Sequence, residues 1–230
     1  MPDQTPGERR NFYGRIRGKT LRASQKSYLA EDLGPLTLQH VTRDDNPARL
    51  PLDMTQFHGK PIWLEVGFGG GEHLIHMAQL HPEAALIGAE PFVNGIAMLL
   101  GKIRAGDVAN LHLHPGDVRD LFEVLPPASV AKAFLNYPDP WPKARHHRRR
   151  FVTPGYLAGL HRILTPGAEF RLATDIPDYV RQALEEVPKA GFTLTADSAA
   201  AWDDWPSTRY EQKALREGRR PHYLTFRRAG

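Results

Sequence analysis

Between Pro61 and Thr174, short apolar runs alternate with stretches whose apolar residues recur at helical spacing, and this alternation restricts the fold more than any other property of the chain. Residues 61–66, 85–90, 111–114, 130–136 and 168–174 have the length and composition of buried strands. Phe92, Ile96, Leu99, Leu100 and Ile103 share one helical face; so do Tyr156, Leu157, Leu160, Ile163 and Leu164, which follow a Thr153-Pro154 start, and Tyr179, Val180, Ala183, Leu184 and Val187. Thr165-Pro166-Gly167 reads as a stop between helix and strand. Two late strands at 192–196 and 222–227 end the series as β-β. This order predicts an α/β fold: a mostly parallel seven-stranded sheet, helices on both faces, a C-terminal antiparallel strand, and ligands at the carboxyl ends of the strands.

Length and a 41% hydrophobic content fit one core, so residues 28–230 are expected to form a single domain. Residues 1–27 read as a flexible basic arm: seven Lys or Arg and no acid fall between Arg9 and Lys26. A second basic run, from Lys143 to Arg150, holds five more. Net charge is only +4, but two such runs make polyanion-sized patches, and a nucleic acid is the partner they suit. Without an apolar leader or a long apolar stretch, a soluble, cytoplasmic protein with no membrane partner is expected. With no cysteine, thiolate chemistry and disulfides are excluded. His73, His76 and His81 share one expected helix but lack a convergent carboxylate, so they read as surface histidines and no metal is expected.

Directly after the first strand come Gly67, Gly69 and Gly71, and directly after them a helix. Glycine there permits a sharp turn and lets a ligand touch backbone. Glu90, at the end of the second strand, is placed to accept from ribose hydroxyls. Glu72 stands where a dinucleotide loop wants glycine, and Glu65 would repel a pyrophosphate but attract the amino-acid end of a sulfonium cofactor. Nicotinamide chemistry is thereby disfavoured. Asp117 follows the third strand, either as an acceptor for an adenine amino group or as a helix cap.

After the fourth strand comes Asn136-Tyr137-Pro138-Asp139-Pro140-Trp141-Pro142-Lys143, running on into Ala144-Arg145-His146-His147-Arg148-Arg149-Arg150. Three prolines in five residues predict a stiff, extended loop presenting Asp139, Trp141 and Lys143. Far downstream, the segment from Ala199 to Pro221 is too long for a hairpin turn and carries Thr208-Arg209-Tyr210-Glu211.

At these residues the chain resembles the bacterial tRNA (guanine-N7-)-methyltransferases, from about Trp63 to the C-terminus. Residues 138–150 are similar to that family's Pro-Asp-Pro-Trp segment and basic cluster, and residues 65–72 to its cofactor loop. Ala173-Thr174-Asp175 and Thr208 to Glu211 are similar to its two later motifs; Pro91 and Tyr210 are mild departures. The resemblance implies a Rossmann-like class I methyltransferase that uses S-adenosyl-L-methionine to methylate N7 of a tRNA guanine, the variable-loop guanine 46. It implies cofactor contacts at Glu65, Gly67, Gly69, Gly71, Glu90, Asp117 and Asp139, with Asp139 catalytic. Substrate contacts are implied at Lys143, Asp175, Thr208, Arg209, Tyr210 and Glu211, with Asp139 or Asp175 on the guanine edge and Trp141 or Tyr210 as stacking face. No obligate protein partner is inferred. The alternative is the same cofactor with another RNA or a non-RNA substrate.

Overall fold

The structure, a computed structural model, describes residues 13–106 and 108–230. Seven strands form one sheet in the order β3-β2-β1-β4-β5-β7-β6: β1 (Ile62–Val66), β2 (Ala85–Ala89), β3 (Leu111–His114), β4 (Val130–Asn136), β5 (Leu164–Thr174), β6 (Phe192–Ser198) and β7 (His222–Arg228). The first five are parallel, and β7 lies antiparallel to both β5 and β6. The helices are α1 (Ala23–Glu31), α2 (Leu33–Leu36), α3 (Glu72–Leu80), α4 (Val93–Ala105), α5 (Val118–Val124), α6 (Pro154–Ile163), α7 (Pro177–Lys189) and α8 (Arg209–Arg216).

Strand periodicity divides the core in two, because alternate side chains face opposite sides of the sheet. Leu64, Val66 and Ile87 join residues of α5, α6 and α7, such as Leu121, Leu160 and Ala183. Leu86, Leu113 and Phe134 point the other way, onto Leu74 and Met77 of α3 and Ile96 and Leu99 of α4. Helices therefore cover both faces. No helix among the described residues is long and apolar enough to cross a membrane.

The expected stop at Thr165-Pro166-Gly167 is corrected: α6 ends at Ile163 and β5 starts at once. The three residues sit in an irregularity of β5, between the pairings Leu164 with Val130 and Glu169 with Lys132, with Gly167 at φ 76°. A bulge tolerates a proline that cannot donate to the ladder.

The first twelve residues, with Arg9 and Arg10, lie outside the described residues. Residues 13–22 lie against the start of α4. Val93 N donates to Ile16 O at 2.9 Å, and Asn94 holds both Gly18 N (2.8 Å) and Lys19 O (2.7 Å). Helix α1 then crosses the expected boundary at residue 27 and packs on α4, where Arg104 caps the Tyr28 ring and pairs with Asp32 at 2.5 Å.

The sheet order changes direction at β1, between β2 on one side and β4 on the other. Ligand crevices form at such switch points, outside the carboxyl ends.

Candidate active site

A cavity of about 740 Å³ opens there, within the range of ligand sites, walled by the ends of β1, β2 and β4 and the loops after them. Gly67, Gly69 and Gly71 have φ of 70°, 56° and 75°, left-handed values that disfavour a side chain. Gly67 and Gly69 line the cavity; Gly71 instead packs on Leu99 and starts α3. Helix α4 approaches this loop so closely that a Cβ on Gly95 would sit 2.2 Å from the carbonyl oxygen of Gly69.

Glu65 and Glu90 both line the cavity and are both buried. Glu90 accepts from Gly69 N at 2.7 Å and Phe92 N at 2.8 Å, one bond to each oxygen, which leaves acceptor capacity for a diol. Burial pushes its carboxyl from the ordinary 4.5 up to about 7; the two backbone bonds oppose the shift, and the nearby charges of Asp139 and Glu65 add to it. Glu65 contacts His73 Nδ1 at 2.7 Å and Asn136 Nδ2 at 3.5 Å. The surface reading of His73 is corrected: it is 3% exposed and lines the cavity. A helix side chain leans toward the N-terminus, so the second residue of α3 reaches back over the strand end. That rule was the available signal.

Of its two expected settings, Asp117 is found as the helix cap, at a place on the cavity wall. As the N-cap of α5 it accepts from Arg119 N at 2.9 Å while pairing with the Arg119 guanidinium.

The Pro-rich loop is corrected from its expected extended path. Tyr137 and Trp141 adopt φ of 47° and 40°, and Ala144–Arg149 forms a 3₁₀ helix. Buried Arg150 accounts for this shape. Its guanidinium donates to Pro140 O (2.8 Å) and Trp141 O (3.3 Å), and on α7 to Asp178 Oδ2 and Gln182 Oε1, both at 2.8 Å. Arg150 therefore leaves the expected phosphate patch: it staples the loop to α7. Arg148 and Lys143 stay exposed, and Arg149 stacks between Tyr13 and Trp141 at 4.8 and 5.0 Å. Asp139 is exposed overall, but its carboxyl turns toward the cavity, where the loss of surrounding water raises its pKa and the charge of Arg15 opposes the rise.

Of the later motifs, Thr208 and Tyr210 reach the cavity wall; Lys143, Asp175, Arg209 and Glu211 do not line it. Thr208 caps α8 by accepting from Glu211 N at 3.2 Å. Asp175 pairs with Arg219, and Arg209 lies along the glycine loop beside Tyr210. Glu211 is buried, with Oε1 accepting from Trp205 Nε1 at 3.0 Å and from the Tyr223 hydroxyl. That oxygen serves an aromatic cluster of Trp202, Trp205 and Tyr223, whose rings meet edge to face at 5.2–5.6 Å.

Two buried carboxylates and a turn of left-handed glycines on one cavity fit S-adenosyl-L-methionine. Known proteins agree. A family of putative methyltransferases matches residues 59–224. The tRNA (guanine-N(7)-)-methyltransferase of Cereibacter sphaeroides is 72% identical across 96% of this chain and 92% of its own. That of Mesorhizobium japonicum is 47% identical over 94% and 93%. Among solved structures, the 16S rRNA methyltransferase KamB superposes with TM-score 0.57 at 17% identity over 74% of this chain and 89% of its own. The 16S rRNA (adenine(1408)-N(1))-methyltransferase of Catenulisporales acidiphilia, solved with S-adenosylmethionine, gives 0.56 at 18% over 78% and 92%. Fold, cavity and relatives converge: the chain belongs to the tRNA (guanine-N7-)-methyltransferase family of S-adenosyl-L-methionine-dependent enzymes.

Proposed function

We propose that the protein methylates N7 of a guanine in tRNA, the variable-loop guanine 46, in the cytoplasm where tRNA is handled. The observation that carries this reading is the position of Asp139: its loop brings a carboxylate to the mouth of the same cavity that Glu65 and Glu90 line. The names of the 72% and 68% identical relatives support the substrate.

When bound, S-adenosyl-L-methionine supplies an electrophilic methyl group. Glu65 holds its amino-acid end, Glu90 its ribose, and Asp117 faces its adenine. Guanine N7 carries an in-plane lone pair and no proton at neutral pH, so the chain has no proton to remove. Its task is alignment and charge. Holding the reactants in line is worth up to ~7–11 kcal/mol in well-oriented systems, and Asp139 opposes the positive charge that passes to the purine. Asp139 also takes the guanine N1 and N2 edge, because Asp175 is committed to Arg219. The base has to leave its stack to enter, and Trp141 and Tyr210 supply the aromatic surfaces at the cavity.

The test is single-turnover transfer of labelled methyl to unmodified tRNA, mapped by borohydride and aniline cleavage at N7-methylguanine. Asp139→Ala should lose transfer by about a hundredfold or more, the scale of one removed transition-state charge partner, and still bind cofactor. Label elsewhere than N7, or wild-type transfer in the variant, overturns the reading.

A further inference from the structure

His73 is a buried titratable group that the transfer reaction does not use. Its Nδ1 lies 2.7 Å from Glu65 Oε2, and its ring is wedged between Phe134 at 4.8 Å and Trp205 at 5.1 Å. The wedge has little freedom, since Phe134 is fixed in β4 and Trp205 is held by its bond to Glu211. Glu65 is the opposite case. It is 2% exposed, and among the described residues its other oxygen has only a long contact, to Asn136 at 3.5 Å. A buried carboxylate with one strong partner takes its direction from that partner.

We propose that His73 is a positioning residue of the cofactor site: it holds the Glu65 carboxylate so that Oε1 faces the cavity, ready to accept from the ammonium of the cofactor's amino-acid end. This rests on the assignment of Glu65 to that end of the cofactor. His73 touches no reacting atom, so its effect falls on cofactor affinity and not on the transfer step. The wedge also ties two distant stretches of the chain together. Trp205 belongs to the C-terminal segment, so the wall that closes the cavity also braces the carboxylate at its floor.

The experiment is calorimetric titration of the full chain with S-adenosyl-L-methionine and with S-adenosylhomocysteine, followed by steady-state kinetics on tRNA. His73→Phe keeps a ring against Phe134 and Trp205 but removes the donor. It should weaken cofactor binding by about tenfold or more, the worth of a hydrogen bond to a buried charge, and raise KM for cofactor in step. Under saturating cofactor, kcat should stay within about threefold of wild type. His73→Asn restores a donor near the Nδ1 position and should recover most of the affinity. A merely structural role would instead lower stability in both variants without the split or the rescue. Wild-type affinity in His73→Phe overturns the proposal. If that variant does not fold, His73→Ala titrated with and without added imidazole takes its place, and failure of imidazole to restore affinity overturns it equally. Glu65→Gln separates the two readings. Should it bind cofactor like wild type, the assignment of Glu65 fails; should it bind weakly while His73→Phe does not, the role of His73 alone fails.

Discussion

The two walls of the cavity are built on different principles. The cofactor wall, from β1 to the start of α4, is made by backbone: three left-handed glycines, two N–H groups on Glu90, and a helix seated against a carbonyl. The facing wall is held from behind by side chains brought from far along the sequence, most of which do not themselves line the cavity. Arg150 reaches Asp178 and Gln182, Arg219 reaches Asp175, and Tyr223 and Trp205 meet on Glu211. A backbone site asks for particular residues within one turn of chain, whereas a side-chain site asks for buried charges whose partners exist only in the folded protein. The first kind fails by crowding, the second by leaving a charge unpaired.

The largest expected effect contrasts two arginines of one basic run. Arg150→Ala leaves Asp178, whose carboxyl is held low by bonds from Arg181 and Arg150, short of its buried partner. It also frees two loop carbonyls. Emptying the fully buried Arg150 site costs about 2–5 kcal/mol, the scale of a large-to-alanine change in a core, read as a fall in the urea midpoint, while Arg148→Ala stays within ~0.5 kcal/mol. Equal effects would erase the distinction drawn between the two walls.

Next in size is a pH effect confined to the cofactor wall. Glu90 has its carboxyl raised from 4.5 to about 7 in the folded protein. Below the unfolded value both states carry the proton and stability is intact. Between the two values the unfolded chain releases the proton first, so stability falls as pH rises and is about 3 kcal/mol lower above the folded value. Denaturant titrations from pH 4 to 8 should show this slope in the wild type and lose it in Glu90→Gln. A slope that persists in the variant would move the effect to other groups.

Gly95→Ala gives the smallest of the three effects and sharpens the idea of crowding. A methyl group 2.2 Å from the carbonyl of Gly69 must push the loop, and overpacking of this kind costs about 1–3 kcal/mol. The unfolding midpoint should fall by the corresponding amount, and cofactor affinity should drop about tenfold as the loop is displaced. Unchanged affinity would mean that the loop has slack.

This contrast also explains what could be read in advance. The strand runs, the helix faces, the glycine turn, Glu65 and Glu90 are legible because period and turn chemistry are local. Arg150 was not legible, since five cations within eight residues look alike until one of them meets α7. Glu211 was misplaced for a related reason: its motif neighbours Thr208 and Tyr210 reach the cavity, but one turn of helix carries Glu211 inward to Tyr223. The curved path of the Pro-rich loop was hidden because prolines restrict their own φ, while Tyr137 and Trp141 take theirs from tertiary bonds. His73 was within reach of a directional argument that periodicity alone does not make.

Strand β7 lies between β5 and β6, pairing Phe226 with Phe170 on one side and with Leu194 on the other. The last of these seven strands in sequence thus fills an interior place, and among the described residues β6 has no other partner in the sheet. On the ribosome, β5 waits with an open edge and β6 with nothing to bond until His222–Arg228 has emerged. Such edges invite pairing with other chains, so the interval before closure is when a nascent chain is most exposed to aggregation. Trp202 and Glu211 are synthesised before Thr225 and Tyr223, the residues of β7 that they bind. The side-chain framework behind the cavity is therefore completed in the same event that seals the sheet, and a chain arrested before β7 has the glycine turn but not the support of the wall opposite it.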